Sequence, residues 1–177
     1  MNKNTVETIR QAIKENPQQY PMLLAKDLGV SEWDVIKELG AENFTQVPIE
    51  CFETIMHEVT SWGPITFIVT NDTVISEVKA ELPNGSYAYG YYNFEHSKLG
   101  IGGHINKDAL GGIGFVSRPF MGLESLSIQF FDKEGKSMFK IYLGRDEKKQ
   151  IVRHQRDSYL RLKESLQHTG IQSSKRA

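Results

Sequence analysis

The feature that most constrains the fold of this 177-residue chain is a change in the spacing of its apolar residues near residue 64. Before that point apolar residues recur at helical spacing, as Val6, Ile9 and Ile13 do. After it, short segments alternate between apolar and polar residues or are rich in aromatic and β-branched residues, which is typical of strands. Seven such segments lie at 65–70, 74–82, 86–94, 102–106, 112–120, 126–132 and 137–144. A helical pattern returns at roughly 147–167.

These patterns predict an α+β fold with a helical N-terminal segment, a large antiparallel β-sheet and a closing C-terminal helix. Turn-forming residues join consecutive strands through short connections, so we expect neighbouring strands to pair as an antiparallel meander. We predict three regions: a helical N-terminal subdomain at 1–46, an α+β domain at 47–167 and a polar tail at 168–177.

Composition points to a globular protein. The formal net charge is −1, the pI is about 6.5, and Cys51 is the single cysteine, so no internal disulfide is expected. The N-terminal segment lacks the apolar core of a signal peptide and no apolar run is long enough to cross a bilayer, so we expect a cytoplasmic protein with no membrane partner.

Residues 24–39, LAKDLGVSEWDVIKEL, have the pattern of a helix-turn-helix, with Gly29 in the turn and Ser31 as the N-cap of the second helix. A DNA-binding helix needs cations to meet the phosphates. Residues 1–45 instead carry five Lys or Arg against seven Asp or Glu. Nucleic-acid binding is therefore disfavoured, and a packing or interface role for the two helices is favoured.

Residues 87–105, YAYGYYNFEHSKLGIGGHI, are rich in tyrosine and glycine and contain two histidines. A turn centred on residues 97–98 would place Tyr91 directly opposite His104, with Tyr87 and Tyr89 on the same face. This arrangement fits a binding site, and it also fits an aromatic strand surface with a hydrogen-bonding histidine. The residues of the hairpin alone do not decide between the two interpretations.

Two further patterns have an ordinary structural explanation. The glycine-rich stretches at 100–103 and 111–114 do not open a helix after a strand, so a phosphate site is disfavoured. Glycine within a strand more often marks a bulge or the close approach of another group, including a flat ligand. Residues 145–163 carry seven Lys or Arg against three Asp or Glu. A solvated helix face is favoured there over a contact for anionic groups.

The long segment 118–151, RPFMGLESLSIQFFDKEGKSMFKIYLGRDEKKQI, resembles the ChuX/HutX family of cytosolic haem-utilisation carriers. WGPITFIVT at 62, ELPNGSYAYGYYNF at 81 and GGHI at 102 follow the family's order and spacing. The resemblance implies a haem carrier that passes its cargo to a haem-degrading enzyme, a fold equivalent to half of a larger two-domain haem protein, and a homodimer. It also implies that Tyr91 binds iron and that His104 is the family's GH histidine. A histidine that some members carry on the first strand is replaced here by Val69 or Thr70.

The chemistry of these residues favours ferric haem b, bound as cargo. Tyrosinate is a known axial haem ligand, and ferric iron can displace the phenolic proton. Residues opposed on adjacent strands reach a haem from the same side, so we expect Tyr91 or His104, not both, as the axial ligand. Candidates for an apolar wall are Phe120 and Met121, for which core packing is the equal alternative.

Candidates for the two propionates are Arg118, Lys140 and Arg145. Lys140 lies off the strand face that carries Phe139 and Ile141, so we expect it to reach solvent or ligand.

The leading hypothesis is therefore a haem-binding carrier and not an enzyme. A haem-degrading enzyme is the first alternative, and a helix-turn-helix DNA-binding regulator is a weaker one. A flavin-binding split barrel is a fold-level analogy only.

Overall fold

The computed structural model describes residues 1–71, 73–95, 100–119 and 122–174, with side chains described up to residue 167. The α-helices are α1 (Lys3–Glu15), α2 (Pro21–Leu28), α3 (Glu32–Lys37), α4 (Phe52–Val59) and α5 (Arg153–Ser174). The strands are β1 (Phe44–Val47), β2 (Ile65–Thr70), β3 (Ile75–Ala80), β4 (Gly85–Ala88), β5 (Tyr91–Phe94), β6 (His104–Ile105), β7 (Leu110–Ser117), β8 (Leu126–Asp132) and β9 (Ser137–Tyr142). Short 3-10 turns lie at Ile49–Cys51 and Lys107–Ala109.

The strands form two antiparallel sheets. The large sheet has six strands in the order β1-β7-β8-β9-β2-β3, and the small sheet has the order β4-β5-β6. The predicted α+β fold with N-terminal helices, a large antiparallel sheet and a C-terminal helix is thus confirmed. The simple meander is wrong in part, because β9 pairs with the distant β2 and because β4 to β6 leave the large sheet. Strand β1, which the sequence analysis did not predict, pairs with β7 at the sheet edge.

The segment at 86–94, predicted as one strand, is a hairpin. Tyr89 and Gly90 form its two-residue turn with φ angles of 55° and 82°, the left-handed values that a tight hairpin turn requires. Tyr89 is therefore 99 % exposed at the tip, and Tyr87 pairs with Tyr92. The prediction that Tyr87 and Tyr89 share the face of Tyr91 is wrong for this reason.

The inner face of the large sheet, which carries Phe115, Phe130 and Phe139, holds the main core. Helices α4 and α5 pack on it through Phe52 and Tyr159, among others. The Phe130 and Phe139 rings stack with centroids 4.2 Å apart. Each such buried aromatic side chain contributes roughly 1.5–3 kcal/mol by leaving water, so this core holds the sheet, the two helices and part of the small sheet together.

The outer face of the large sheet, which carries Val116, Gln129 and Lys140, is covered by α1 to α3. The Trp33 ring lies so close to β7 that a Cβ on Gly112 would sit 2.6 Å from it. Close approach of an aromatic ring therefore explains Gly112 and Gly114, whereas a Cβ on Gly111 would meet the backbone of Asp132 and Lys133. Val35 and Ile36 of α3 are fully buried, which is the packing role favoured for the helix pair.

The C-terminal helix begins at Arg153, six residues later than predicted. The Asp146 carboxylate accepts hydrogen bonds from the backbone N–H groups of Lys148 and Gln150, and this turn delays the helix. The helix continues to Ser174, beyond the predicted end at 167. Among the described residues, no helix has the length and apolar composition needed to span a membrane.

Candidate functional site

The small sheet has one buried face and one exposed face. Tyr92 and Phe94 point inward and meet Phe52 and Phe67 edge to face, with ring centroids 5.3 and 6.1 Å apart. Alternation along β5 therefore turns Tyr91 outward, where it is 44 % exposed. The buried face fixes the small sheet on the core, and the exposed face is available to a ligand.

The register of β5 and β6 differs from the predicted one by two residues. Asn93, not Tyr91, lies directly opposite His104, and the N–H of Phe94 donates to the carbonyl of Gly103. The predicted turn at 97–98 lies outside the described residues.

A two-residue shift leaves every side chain on its face, whereas a one-residue shift would reverse it. Tyr91 and His104 are consequently still neighbours, now on a diagonal, with ring centroids 6.3 Å apart and planes at 73°. The exact opposition was wrong, but the two residues do share the exposed face.

Asn93 orients the histidine. Its Nδ2 donates to the backbone carbonyls of Ala88 and Tyr91 at 2.9 and 2.8 Å, so its Oδ1 must be the atom that faces His104. This Oδ1 lies 2.7 Å from the His104 Nδ1. Because a carbonyl oxygen can only accept, Nδ1 carries the proton, and the lone pair of the neutral ring is on Nε2.

Asn93 is the residue that the sequence analysis missed. Its signal was the spacing in YYN: a polar residue two positions after Tyr91 shares the exposed face and can reach the next strand.

Beside His104 the surface forms a cavity of about 490 Å³. Ser86 and Asn93 line one side of it, and Gly102 and Gly103 line another. A Cβ placed on Gly102 or Gly103 would meet no atom within 4 Å. The backbone here is therefore bare and open, which suits a flat ligand placed against it.

Two predicted propionate-binding residues lie away from this face. Lys140 is only 8 % exposed and its Nζ is 2.5 Å from the Glu32 Oε1 on the outer face of the large sheet. The prediction that Lys140 can reach solvent or ligand is wrong, because α3 covers this strand position. Arg118 also lies on the outer side, where its Nη2 donates to the carbonyl of Pro17 at 2.7 Å.

The remaining predicted residues are placed as follows. Arg145 is exposed, and its guanidinium donates to the carbonyls of Glu124 and Lys149. Phe120 and Met121 lie outside the described residues. The structure thus brings together Tyr91 and His104, with Asn93 between them, and it separates this group from Arg118 and Lys140.

Among the described residues, no group of three or more His, Cys, Asp or Glu side chains could hold a free metal ion. The exposed face of the small sheet offers one phenol and one imidazole. Such a pair suits a metal whose other ligands come from a macrocycle.

Comparison with known proteins gives a consistent result. The model of the ChuX/HutX haem-utilisation family matches residues 45–162. The intracellular heme transport protein HutX of Vibrio cholerae is 38 % identical over 157 residues, which covers 86 % of this chain and 81 % of that protein. The solved structure of the heme-binding protein ChuX is 34 % identical, with a TM-score of 0.81, and the match covers 89 % of this chain and 98 % of that one.

A more distant structure shares the fold alone. Holo-PhuS, a heme-binding protein of Pseudomonas aeruginosa, is 16 % identical with a TM-score of 0.68. The match covers 84 % of this chain but 47 % of PhuS. The fold therefore corresponds to about half of that larger chain, as predicted.

Proposed function

The chain belongs to the ChuX/HutX haem-utilisation family, and from that premise we propose that it is an intracellular haem carrier that hands imported haem to a haem-degrading partner. The cargo is ferric haem b. The protein acts in the cytoplasm and binds and transfers haem without chemical conversion. The family relation and the names of the HutX and ChuX relatives support the haem-carrier function.

The observation that carries the site assignment is the shared exposed face of Tyr91 and His104, beside bare glycine backbone. A tyrosine has an ordinary pKa near 10, so its phenolate is scarce at neutral pH. Fe(III) is a strong enough Lewis acid to replace the phenolic proton, and the anionic oxygen prefers Fe(III) to Fe(II). Tyr91 is accordingly the axial ligand, and reduction of the iron weakens its bond.

His104 supports this ligand. The Asn93 carbonyl holds its Nδ1–H, so its Nε2 can take up the proton that Tyr91 loses. The resulting imidazolium then faces the phenolate and donates to it. Both side chains lie on one face, so they cannot bind opposite sides of the same haem.

A single sheet face covers one side of a planar macrocycle and leaves the other side in water. We place a second copy of the chain over that side, which makes the carrier a homodimer. Sedimentation of the haem-loaded protein is expected to give twice the chain mass of 20.1 kDa. A monomeric haem-loaded species would contradict the dimer.

Arg118 and Lys140 are not assigned to haem binding, because both lie on the outer face of the large sheet and Tyr91 lies on the small sheet. Arg145, Phe120 and Met121 stay predictions for the propionates and the apolar wall.

Titration with ferric haem b tests the function. The wild-type chain is expected to give a Soret band that saturates at one haem per chain, and Tyr91→Phe is expected to shift and broaden that band. Tyr87→Phe is the matched control, since Tyr87 is similarly exposed but lies on the opposite side of the β4–β5 pair. An unchanged spectrum for Tyr91→Phe would rule out Tyr91 as the ligand, and no Soret band for the wild type would rule out the function.

A further inference from the structure

A second cavity lies on the outer face of the large sheet, away from Tyr91 and His104 on the small sheet. Its volume is about 200 Å³. The floor is formed by strands β2, β3, β7, β8 and β9, and the roof by residues 18–20 of the α1–α2 connection together with Pro21 at the start of α2. This volume is below the roughly 300–1,000 Å³ of pockets for drug-sized ligands, so the cavity is too small for a porphyrin.

Two polar groups of the cavity wall have unmet hydrogen-bonding capacity. The Arg118 Nη1 and the Gln129 Oε1 are buried and have no hydrogen-bond partner among the described residues. Gln129 is only 4 % exposed. A buried donor or acceptor left unpaired costs about 1–3 kcal/mol, more for a charged group. A ligand that meets both groups recovers this loss.

A chain of hydrogen bonds orients the remaining polar groups. The Gln129 Nε2 donates to the Ser127 Oγ at 3.0 Å, which leaves the Gln129 Oε1 as the free acceptor. The Ser127 hydroxyl in turn bonds to the Tyr142 oxygen. Burial, with the nearby Glu32 carboxylate, raises the pKa of Tyr142 to about 12, so its hydroxyl stays protonated and remains a donor at neutral pH.

The charges around the cavity favour an anion next to Arg118. None of the ion pairs among the described residues includes Arg118, whose Nη2 is held by the Pro17 carbonyl. Glu32 is neutralised by Lys140, and Glu77 lies at the rim on an exposed strand. Arginine keeps its charge at any physiological pH, so its guanidinium is a cation without a carboxylate partner in the described structure.

We propose that this cavity binds a small carboxylate that also carries an O–H or N–H donor, with a short 2-hydroxy acid as the type. The carboxylate accepts from the Arg118 Nη1 and the Tyr142 hydroxyl, and the hydroxyl of the ligand donates to the Gln129 Oε1. Because the site lies on the outer face, it is independent of haem binding by Tyr91.

A ligand panel on the wild-type, haem-free chain tests the proposal without any mutation. Calorimetric titration is carried out with L-lactate, with acetate, which lacks the donor, and with glycerol, which lacks the carboxylate. Lactate is expected to bind at least about fivefold more tightly than acetate, because a net hydrogen bond is worth about 1 kcal/mol, and glycerol is expected not to bind. Equal affinities for lactate and acetate, binding of glycerol alone, or no binding of any of the three would overturn the proposal.

Two variants then assign the contacts. Arg118→Gln is expected to weaken lactate binding at least about tenfold, since hydrogen bonds to charged groups are the stronger ones. Gln129→Leu is expected to reduce lactate affinity to the level of acetate and to leave acetate affinity unchanged. Arg161→Gln is the control, because Arg161 is exposed on α5 and donates to Ser158.

Circular dichroism confirms that each variant is folded before titration. If either variant fails to fold, the wild-type panel and Arg118→Lys decide the outcome. Lysine keeps the charge but cannot reproduce both guanidinium contacts, so weaker lactate binding supports the site and unchanged binding contradicts it.

Discussion

The two faces that carry polar side chains in this protein differ in what their residues do. On the exposed face of the small sheet, Tyr91 and His104 are exposed to solvent. Asn93 bonds to the ring of His104 and to the backbone carbonyl of Tyr91. On the outer face of the large sheet, Lys140 and Gln129 are buried beneath the N-terminal helices. Polar residues of the first kind can serve a ligand at little cost to stability. Those of the second kind are enclosed by protein, so removing one member of a buried pair leaves its partner unpaired and costs stability.

The largest expected loss of stability follows from breaking the buried ion pair between Lys140 and Glu32 on the outer face of the large sheet. Lys140→Met leaves the Glu32 carboxylate, which is 7 % exposed, without its partner. We expect the free energy of unfolding to fall by about 3–5 kcal/mol in urea denaturation. Replacing both residues, with Glu32→Leu added, should recover most of the loss.

The exposed pair of Lys136 and Glu134 provides the control for this experiment. Lys136→Met should change stability by no more than about 1 kcal/mol, as surface ion pairs usually do. Equal effects of Lys140→Met and Lys136→Met would show that the outer face is not energetically distinct.

Glycine substitutions compare the two faces directly. A Cβ on Gly114 would lie 2.6 Å from the Phe44 ring, whereas one on Gly102 would meet nothing within 4 Å. We expect Gly114→Ala to destabilise the protein by about 1–3 kcal/mol through overpacking. Gly102→Ala should leave the thermal midpoint unchanged, and a comparable drop there would mean that the exposed face of the small sheet is more tightly packed than its geometry indicates.

Removing the support of His104 should affect haem more than folding. Asn93→Ala is expected to weaken ferric haem binding about tenfold, because Asn93 bonds both to the His104 ring and to the backbone carbonyl of Tyr91, and losing groups that hold a metal site in place costs about 10–100-fold in affinity. Fluorescence quenching or a Soret titration measures this affinity. Asn71→Ala is the control, because the Asn71 side chain also bonds to backbone groups, as the acceptor from the N–H groups of Thr73 and Val74, but it lies in a different exposed turn. Equal haem affinity in both variants would remove Asn93 from the site.

The smallest expected effect is the change in folding stability when Tyr91, the proposed iron ligand, is replaced. Tyr91→Phe should change the free energy of unfolding by less than about 0.5 kcal/mol, since the hydroxyl of a 44 % exposed side chain is replaced by water. Urea denaturation of the haem-free protein measures this change. A loss above about 1 kcal/mol would show that Tyr91 has a structural role and that the contrast between the two faces is weaker than described.

The sequence predicted the parts of this fold that depend on local periodicity. The helical spacing before residue 64 and the alternation after it were sufficient for the α+β architecture. The sequence also predicted Gly29 in the turn between α2 and α3 and Ser31 as the N-cap of α3. Both are confirmed: Gly29 has a φ of 65°, and the Ser31 side chain accepts a hydrogen bond from the N–H of Asp34. These features are decided within a few residues of chain, which is why they can be read from one segment at a time.

The pairing of strands that are distant in the chain could not be predicted from the sequence. The pairing of β9 with β2 joins strands about 70 residues apart, and only the shared core around Phe67 and Phe139 decides it. Lys140 was expected to be accessible because strand alternation predicts which face of the sheet a side chain lies on, but not whether another element covers that face. Glu32, which buries it, lies 108 residues earlier in the chain.

On the exposed face of the small sheet, the local and the long-range contributions can be separated. The sequence predicted that Tyr91 and His104 lie on the same side of neighbouring strands, and this result survived because the observed register differs from the predicted one by an even number of residues. Tertiary structure alone decided their diagonal offset and the direct opposition of Asn93 and His104, since register depends on the path of the connection and on the burial of Tyr92 and Phe94 against the core. Side-chain period is a local property of the backbone, whereas register and burial are properties of how distant segments pack.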